Sequence, residues 1–140
     1  MDKTKENKIL RKSGYDTGVA SEFLVLSILY RLGVNAFISL GNKKSIDIII
    51  KAKNGSSVSV DVKSVQGYSS IVVNNVKAET SHFIVVVVYK GKFADPTMLP
   101  DFYIIPSDKV DRLSENYNGQ LRLLKSSITD YQNKWNFLQV

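Results

Sequence analysis

The stretch that decides the fold runs from residue 46 to residue 63 and reads IDIIIKAKNGSSVSVDVK. Two runs rich in β-branched residues flank the pair Asn54-Gly55, which is a strong short-range signal for a β-hairpin. Side chains alternate along a strand, so the valines of the second run face one side, and Asp61 and Lys63 face the other. The stretch therefore predicts two antiparallel strands, with an acid and a lysine side by side on the second.

A further acid, Asp47, stands in the otherwise apolar first run of the hairpin. A carboxylate is costly to bury unless it is paired or binds a cation. An acid on one strand and an acid-x-lysine on its partner can hold a divalent cation beside a group that handles protons. We therefore take Asp47 and Asp61 as candidate metal ligands and Lys63 as the candidate catalytic lysine.

The length of the connecting loop decides whether the two aspartates meet. A two-residue turn would place Asp47 opposite Val62, so that the aspartates faced opposite sides of the hairpin. A three-residue loop of residues 53–55 places Asp47 opposite Asp61, and such loops contain a left-handed residue that is usually glycine. Gly55 stands at that position, so a shared site predicts the three-residue loop.

Composition narrows the classes of protein. The chain has 140 residues, of which 44% are hydrophobic, and this suits one folded domain over residues 1–140. The absence of cysteine excludes disulfides and thiolate zinc sites, and a single histidine excludes histidine-rich metal sites. No apolar run has the length of a transmembrane helix, and the polar start is unlike a signal peptide. We therefore expect a cytoplasmic protein with no membrane partner.

The charge of the chain favours a nucleic-acid partner. The formal net charge is +6 and the sequence pI is about 9.5, so phosphates are attracted. Residues 1–13 are basic and are expected to form a flexible segment, although they could also form an arm that touches phosphates.

The polar loops around the hairpin supply further candidate nucleic-acid contacts. Lys43 and Lys44 precede the hairpin, and Gln66 and Tyr68 follow it. Gln66 could contact a phosphate or cap backbone groups. Tyr68 could stack on a base or pack on the core.

A helix over residues 17–33 is expected to carry another acid. Thr17 is the candidate N-cap, and Gly33 is the candidate left-handed C-terminal residue. Helical spacing places Glu22 among apolar residues. The helix dipole favours carboxylates near the helix start, and this interaction alone could explain why an acid stands at position 22. The alternative is that Glu22 is a third acid of the metal site.

The remaining elements frame this centre. The sequence predicts a first strand over 35–40, a strand over 83–89 that is buried on both faces, a short strand over 102–105, a helix over 108–113 capped by Ser107, a turn over 116–119, and a final helix that begins after Ser127 and turns an aromatic stripe to the core. The segment 72–81 is ambiguous and could hold a short helix.

The order of these motifs resembles the PD-(D/E)xK nuclease superfamily, which has the restriction-endonuclease-like fold. Residues 18–22, Gly-Val-Ala-Ser-Glu, are similar to the Gly-x-x-x-Glu opening of many small members. Asp47 and the Asp61-Val62-Lys63 triplet match the acid and acid-x-lysine motifs, with Ile46 in place of the proline. Over about residues 14–138 the chain resembles a branch of small prokaryotic members.

The resemblance implies an α/β fold with a central mixed sheet, an antiparallel meander plus a parallel strand, flanked by helices. It implies an endonuclease-like enzyme that hydrolyses phosphodiester bonds of DNA or RNA, with Mg²⁺ as cofactor and Mn²⁺ as a substitute. Asp47, Asp61 and the Val62 carbonyl would hold the metal, Glu22 would support it or bind it directly, and Lys63 would assist the attacking water. Site-specific readout would need a partner protein or a homodimer.

Two other hypotheses remain open at the level of sequence. The same fold could bind nucleic acid, or act as a subunit of a complex, with little or no catalysis. A basic α/β domain with a protein partner is the third hypothesis, in which Asp61 and Lys63 form a mere ion pair. Only the nuclease requires Mg²⁺ or Mn²⁺ to convert binding into cleavage.

Overall fold

A computed structural model describes residues 14–39, 46–67 and 70–140. Its main sheet contains five strands in the spatial order β1-β2-β3-β5-β6, and a smaller sheet has the order β4-β8-β7. Their bounds are Ala36–Ile38 (β1), Ile48–Lys51 (β2), Ser57–Val65 (β3), Ile71–Val72 (β4), His82–Val88 (β5), Asp101–Pro106 (β6), Ser114–Tyr117 (β7) and Gln120–Leu123 (β8). The two α-helices of this part of the chain are Gly14–Arg31 (α1) and Ser107–Leu113 (α2).

The central hairpin has the register that the three-residue loop predicts. Ile48 faces Val60 across β2 and β3, and the Ala52 N–H donates to the Ser56 carbonyl at 2.9 Å. Gly55 has φ +87°, the left-handed conformation that glycine adopts without steric cost. Its N–H donates to the Ala52 carbonyl at 3.0 Å and closes the turn.

The predicted mixed sheet is confirmed. The first three strands form an antiparallel meander, β3 and β5 run parallel, and β6 returns antiparallel to β5. Strand β5 ends in four consecutive valines and is apolar on both sides because both of its faces are covered. Val85 and Val87 join the core cluster that contains α1, whereas Ile84 and Val86 join the cluster on the opposite face.

Helix α1 lies antiparallel to β3 on one face of the sheet. Its start reaches the end of β3, where Gln66 Nε2 donates to Thr17 Oγ1 at 2.7 Å. The helix begins at Gly14, so the prediction that Thr17 caps it is wrong; Thr17 is buried within the first turn. Gly33 ends the helix as predicted, with φ +76°, and the next N–H, of Val34, donates to the Leu29 carbonyl at 2.9 Å.

The predicted final helix is wrong. The segment forms three short 3₁₀ turns, Lys125–Ser127, Thr129–Tyr131 and Trp135–Leu138. Between the last two, the Asn133 N–H donates to the Phe102 carbonyl at 2.9 Å, so the chain pairs with the β6 edge instead of coiling on. The aromatic side chains still reach the core, as expected; the rings of Trp135 and Phe102 lie 5.2 Å apart.

The chain after β3 also differs from the expectation. No helix forms over 72–81, where β4 leads into an irregular segment. Ser107 is the first residue of α2 and does not cap it; its hydroxyl donates to the Glu79 carbonyl at 2.9 Å. The expected turn at 116–119 lies within a hairpin, β7–β8, that the sequence did not predict.

Among the described residues, no helix has the length and apolar character needed to cross a membrane.

Candidate active site

A notch in the main sheet positions the candidate residues. Strand β2 begins at Ile48, which faces Val60, so β3 continues past the start of β2. On its other side, β3 stays paired with β5 as far as Val65. Asp61 and Lys63 lie on this extension of β3. The notch is the open edge of β3 beside them, where β2 has not yet begun.

Asp47, the residue before β2, forms hydrogen bonds with the open edge of β3. Its N–H donates at 2.8 Å to the carbonyl of Val60, which already faces Ile48, so two residues oppose one as in a β-bulge. Its Oδ2 accepts the Val62 N–H at 2.7 Å. The Asp47 carboxylate thus accepts the hydrogen bond that a neighbouring strand would otherwise accept from Val62. This bond holds the carboxylate beside Asp61 and Lys63.

Asp61 is buried, with 3% of its surface exposed, and Lys63 lies beside it. Lys63 Nζ stands 3.3 Å from Asp61 Oδ2. This is an ion-pair distance, but the oxygen has no hydrogen bond of good geometry within the described structure. The buried carboxylate thus has one cation beside it, the Lys63 ammonium, and an oxygen that a further cation could bind.

Glu22 completes an acidic group around the notch. Burial first, then the charge and a hydrogen bond of Asp47, and then the charge of Asp61 raise the pKa of Glu22 to about 7. Burial raises the pKa of Asp61 to about 6, with the Asp47 charge adding to the shift and Lys63 opposing it. Three carboxylates repel one another here, so a bound cation would relieve the strain.

The acids reach the notch from both faces of the sheet. In the parallel ladder, Asp61 and Lys63 stand beside Ile84 and Val86, which lie on the face away from α1. Glu22 comes from α1 on the other face. Glu22 and Asp61 can interact because β2 begins only at Ile48, so no strand lies between them beside this part of β3.

Comparisons with known proteins bear on this arrangement. No family model matches the sequence, and no curated protein matches it. Among solved structures, the bacterial homing endonuclease I-Ssp6803I superposes with a TM-score of 0.61 at 18% identity, over 91% of this chain and 94% of that chain. The chain has the restriction-endonuclease-like fold.

A second solved structure shares this restriction-endonuclease-like fold. It is Hjc of Archaeoglobus fulgidus, a Holliday junction resolvase from an archaeal hyperthermophile. The superposition has a TM-score of 0.53 at 13% identity and covers 79% of this chain and 86% of that chain. Both likenesses concern the fold, which is the one that the sequence motifs predicted.

The residues at the notch of this restriction-endonuclease-like fold suit a hard cation. Carboxylate and carbonyl oxygens are the ligands that Mg²⁺ prefers, and Asp61 Oδ2 lacks a hydrogen bond. Within residues 14–39, 46–67 and 70–140, however, no three His, Cys, Asp or Glu side chains form a preformed metal centre. Magnesium is commonly held by one or two carboxylates with water and substrate phosphate completing the shell, so Asp47 and Asp61 could hold it without a third acid.

The other predicted contacts fare differently. Gln66 is tied to Thr17 on α1 and so braces the end of β3 against the helix. Lys43, Lys44 and Tyr68 lie outside the described residues, as does the basic segment 1–13.

Sequence reasoning missed a buried polar chain behind the site. Ser21 Oγ donates to the Thr17 carbonyl at 2.6 Å and lies 2.8 Å from the Tyr89 hydroxyl. These bonds fasten α1 to the end of β5, immediately before Glu22. The signal was present in the spacing of Thr17 and Ser21, two polar residues four apart on the buried side of a helix.

Proposed function

We propose that the protein is a magnesium-dependent nuclease that hydrolyses phosphodiester bonds of nucleic acid, with DNA as the expected substrate. One observation carries this proposal: the buried carboxylate of Asp61, paired with Lys63, interacts with the further acids Asp47 and Glu22 at an open sheet edge. The restriction-endonuclease-like fold of two solved nucleases supports it.

In this proposal, Asp47 and Asp61 hold Mg²⁺, for which Mn²⁺ can substitute. The Val62 carbonyl is a further ligand. The N–H and C=O of one strand residue project toward the same edge, and the Val62 N–H meets Asp47 on the notch side, so its carbonyl also faces the notch. When bound, the metal polarises the phosphate and supplies a nucleophile at neutral pH.

In this proposal, Lys63 assists the attack of water on the phosphate. The ion pair with Asp61 holds its ammonium beside the proposed metal ligands. From there it can orient the attacking water and stabilise the charge that grows on the phosphate as the bond breaks. That charge is largest in the transition state, so Lys63 contributes to turnover more than to substrate affinity.

Glu22 acts as the proton-exchanging neighbour of the ligands. A pKa of about 7 leaves it able to hold or release a proton near neutral pH. In the ionised form it can support the metal ligands or bind the ion directly. In the protonated form it can donate a hydrogen bond to Asp47.

The test is cleavage of plasmid, linear, branched and single-stranded DNA, and of RNA, with Mg²⁺ and with EDTA. We expect Mg²⁺-dependent cleavage by the parent protein and none by Asp61→Asn. The matched control is Asp108→Asn, which removes an exposed acid at the start of α2. Cleavage that persists in EDTA, or that survives Asp61→Asn, would overturn the proposal.

A second candidate is a nucleic-acid-binding module of the same fold without catalysis. The observation in its favour is that no three acid or histidine side chains of the described chain form a preformed metal centre. The cleavage assay, combined with a gel-shift assay, separates the two functions. A binding module would shift DNA in the gel and would leave it intact in the presence of Mg²⁺.

A further inference from the structure

A polar cleft lies on the smaller sheet, outside the acidic notch. It has a volume of about 720 Å³ and is lined by Ser70, Tyr117, Asn118, Gln120, Arg122 and Leu124. Its walls come from β8, the tip of the β7–β8 hairpin and the chain that enters β4. The proposed phosphodiester chemistry uses none of these residues.

Arg122 is held in the cleft by neutral partners. Its Nη1 donates to Ser70 Oγ at 2.9 Å, and its Nε donates to Gln120 Oε1 at 2.9 Å. In the described part of the chain, no carboxylate lies within ion-pair distance of it, although Glu115 is its partner in the β7–β8 ladder. Two neutral side chains therefore hold the guanidinium in place in the cleft, and Glu115 stays beyond ion-pair distance across the ladder. Such a fixed planar fork suits phosphate oxygens.

Tyr117 offers a flat apolar surface in the same cleft. Its hydroxyl donates to Glu115 Oε2 at 2.8 Å, while 46% of the residue is exposed. The hydrogen bond restrains the ring without covering it. An exposed, restrained aromatic ring beside an arginine is the combination on which nucleic-acid bases stack.

The cleft and the acidic notch lie on the same side of the main sheet. Strand β4 pairs with β8 through Ile71 and Leu123, and both pack against the face that also carries Asp61 and Lys63. Ser70 lies seven positions after Lys63 in the sequence, so the two residues are at most about 24 Å apart along the chain. Since each strand of B-DNA has one phosphate per ~3.4 Å of helix axis, one bound strand can reach both sites.

We propose that this cleft binds the substrate strand away from the bond that is cut, with Arg122 on a backbone phosphate and Tyr117 against a base or sugar. This inference rests on the proposed function for the identity of the strand. It adds a binding subsite on the β7–β8 hairpin that positions nucleic acid across the notch.

The test measures affinity without cleavage. Labelled duplex and single-stranded DNA of 30 nucleotides are titrated in EDTA over a range of salt concentrations. We expect Arg122→Gln to raise Kd about 10-fold and to reduce the salt slope by about one, the value of one lost phosphate contact. Tyr117→Leu raises Kd by a similar factor, most strongly for single strands, because base stacking is lost.

Matched variants separate this effect from general charge and from misfolding. Arg31→Gln removes the same charge at the far end of α1, and we expect it to leave Kd nearly unchanged. Arg122→Lys keeps the charge without the fork and should fall between the parent and Arg122→Gln. Thermal unfolding of each variant shows that the fold is retained.

The outcomes are distinct from those of the nuclease assay. Parent-like affinity and salt slope for Arg122→Gln would overturn the subsite, even if the parent cleaves DNA. Equal loss of affinity in Arg31→Gln would also overturn it, since the effect would then be net charge alone. Competition by dAMP at concentrations equal to those of strand phosphate would assign the cleft to free nucleotides instead. A parent that binds DNA through Arg122 but never cleaves it would preserve the subsite and refute the nuclease.

Discussion

At the scale of single residues, Asp61 combines deep burial with a proposed role that needs charge. Only 3% of its surface is exposed, and burial raises its pKa to about 6. The ionised form is therefore costly in the free protein, even with Lys63 at 3.3 Å. A divalent cation would repay that cost, which couples metal binding to the stability of the fold.

Lys63→Ala should separate catalysis from binding. We expect turnover to fall by about 10² or more, as for the loss of a positioned catalytic group, while most of the affinity for DNA remains. Single-turnover rates and Kd report the two effects. Lys51→Ala, at the far end of β2, is the control and should change neither; parent-like turnover in Lys63→Ala would refute the assigned role.

Asp61→Asn should move activity and stability in opposite directions. The variant loses a proposed metal ligand, so cleavage should be abolished and the Mg²⁺ requirement raised. It also removes a buried charge while conserving shape, so we expect a higher melting temperature at pH 8 than for the metal-free parent. Affinity for DNA should increase because a negative charge near the phosphates is lost. An unfolded variant would instead indicate a structural ion-pair cluster.

The candidate residues were predictable from local pattern, but their environment was not. Alternation within β3 predicts that Asp61 and Lys63 are neighbours, because that relation depends on one strand. The burial of Asp61 depends on residues that the chain reaches only later, such as Ile84 beside it in β5, which belongs to the core cluster on that face. The bulge at Asp47 likewise depends on where β2 begins.

At the scale of elements, the hairpin loop and α1 allow a paired test of glycine. Gly55 has φ +87°, so Gly55→Ala forces a strained conformation and should lower the free energy of unfolding by about 1 kcal/mol. Gly18 lies inside α1 with open space around an added Cβ, so Gly18→Ala should raise it by about 1 kcal/mol. Urea unfolding measures both; an unchanged or higher free energy of unfolding for Gly55→Ala would contradict the loop geometry.

The elements that the sequence predicted well are those that a local signal determines. Strand β5 follows from an unbroken valine run, and the end of α1 follows from Gly33. The prediction of a terminal helix was wrong because the Asn133 N–H bonds to a carbonyl of β6, and these residues are distant in sequence. The β7–β8 hairpin was missed because polar strands such as Ser114–Tyr117 carry little periodic signal.

At the scale of the whole molecule, the net charge of +6 predicts binding that depends on salt. Affinity for DNA should fall steeply as salt rises from 50 to 200 mM, by about 10-fold or more if several phosphates are contacted. Fluorescence anisotropy at several salt concentrations measures the slope. Affinity that stays flat would point to a protein partner in place of nucleic acid.

The raised pKa values of Glu22 and Asp61 predict how stability varies with pH. The folded state binds more protons than the unfolded state between about pH 4 and pH 7, so the free energy of unfolding falls as pH rises through this window. Thermal scans from pH 4 to 8 test this in the metal-free protein. Glu22→Gln should flatten the slope, and Mg²⁺ should raise the melting temperature more at pH 8 than at pH 5. An equal Mg²⁺ effect at both pH values would argue against ion binding by these acids.

The three-residue loop between β2 and β3 has a use in protein engineering. It lies at the end of the hairpin opposite Asp47 and Asp61, is exposed, and is closed by its own hydrogen bonds. A foreign domain inserted between Asn54 and Gly55 would therefore extend away from the acids. This loop is thus the natural point at which to graft a module that reads DNA sequence and so direct the proposed nuclease to a chosen target.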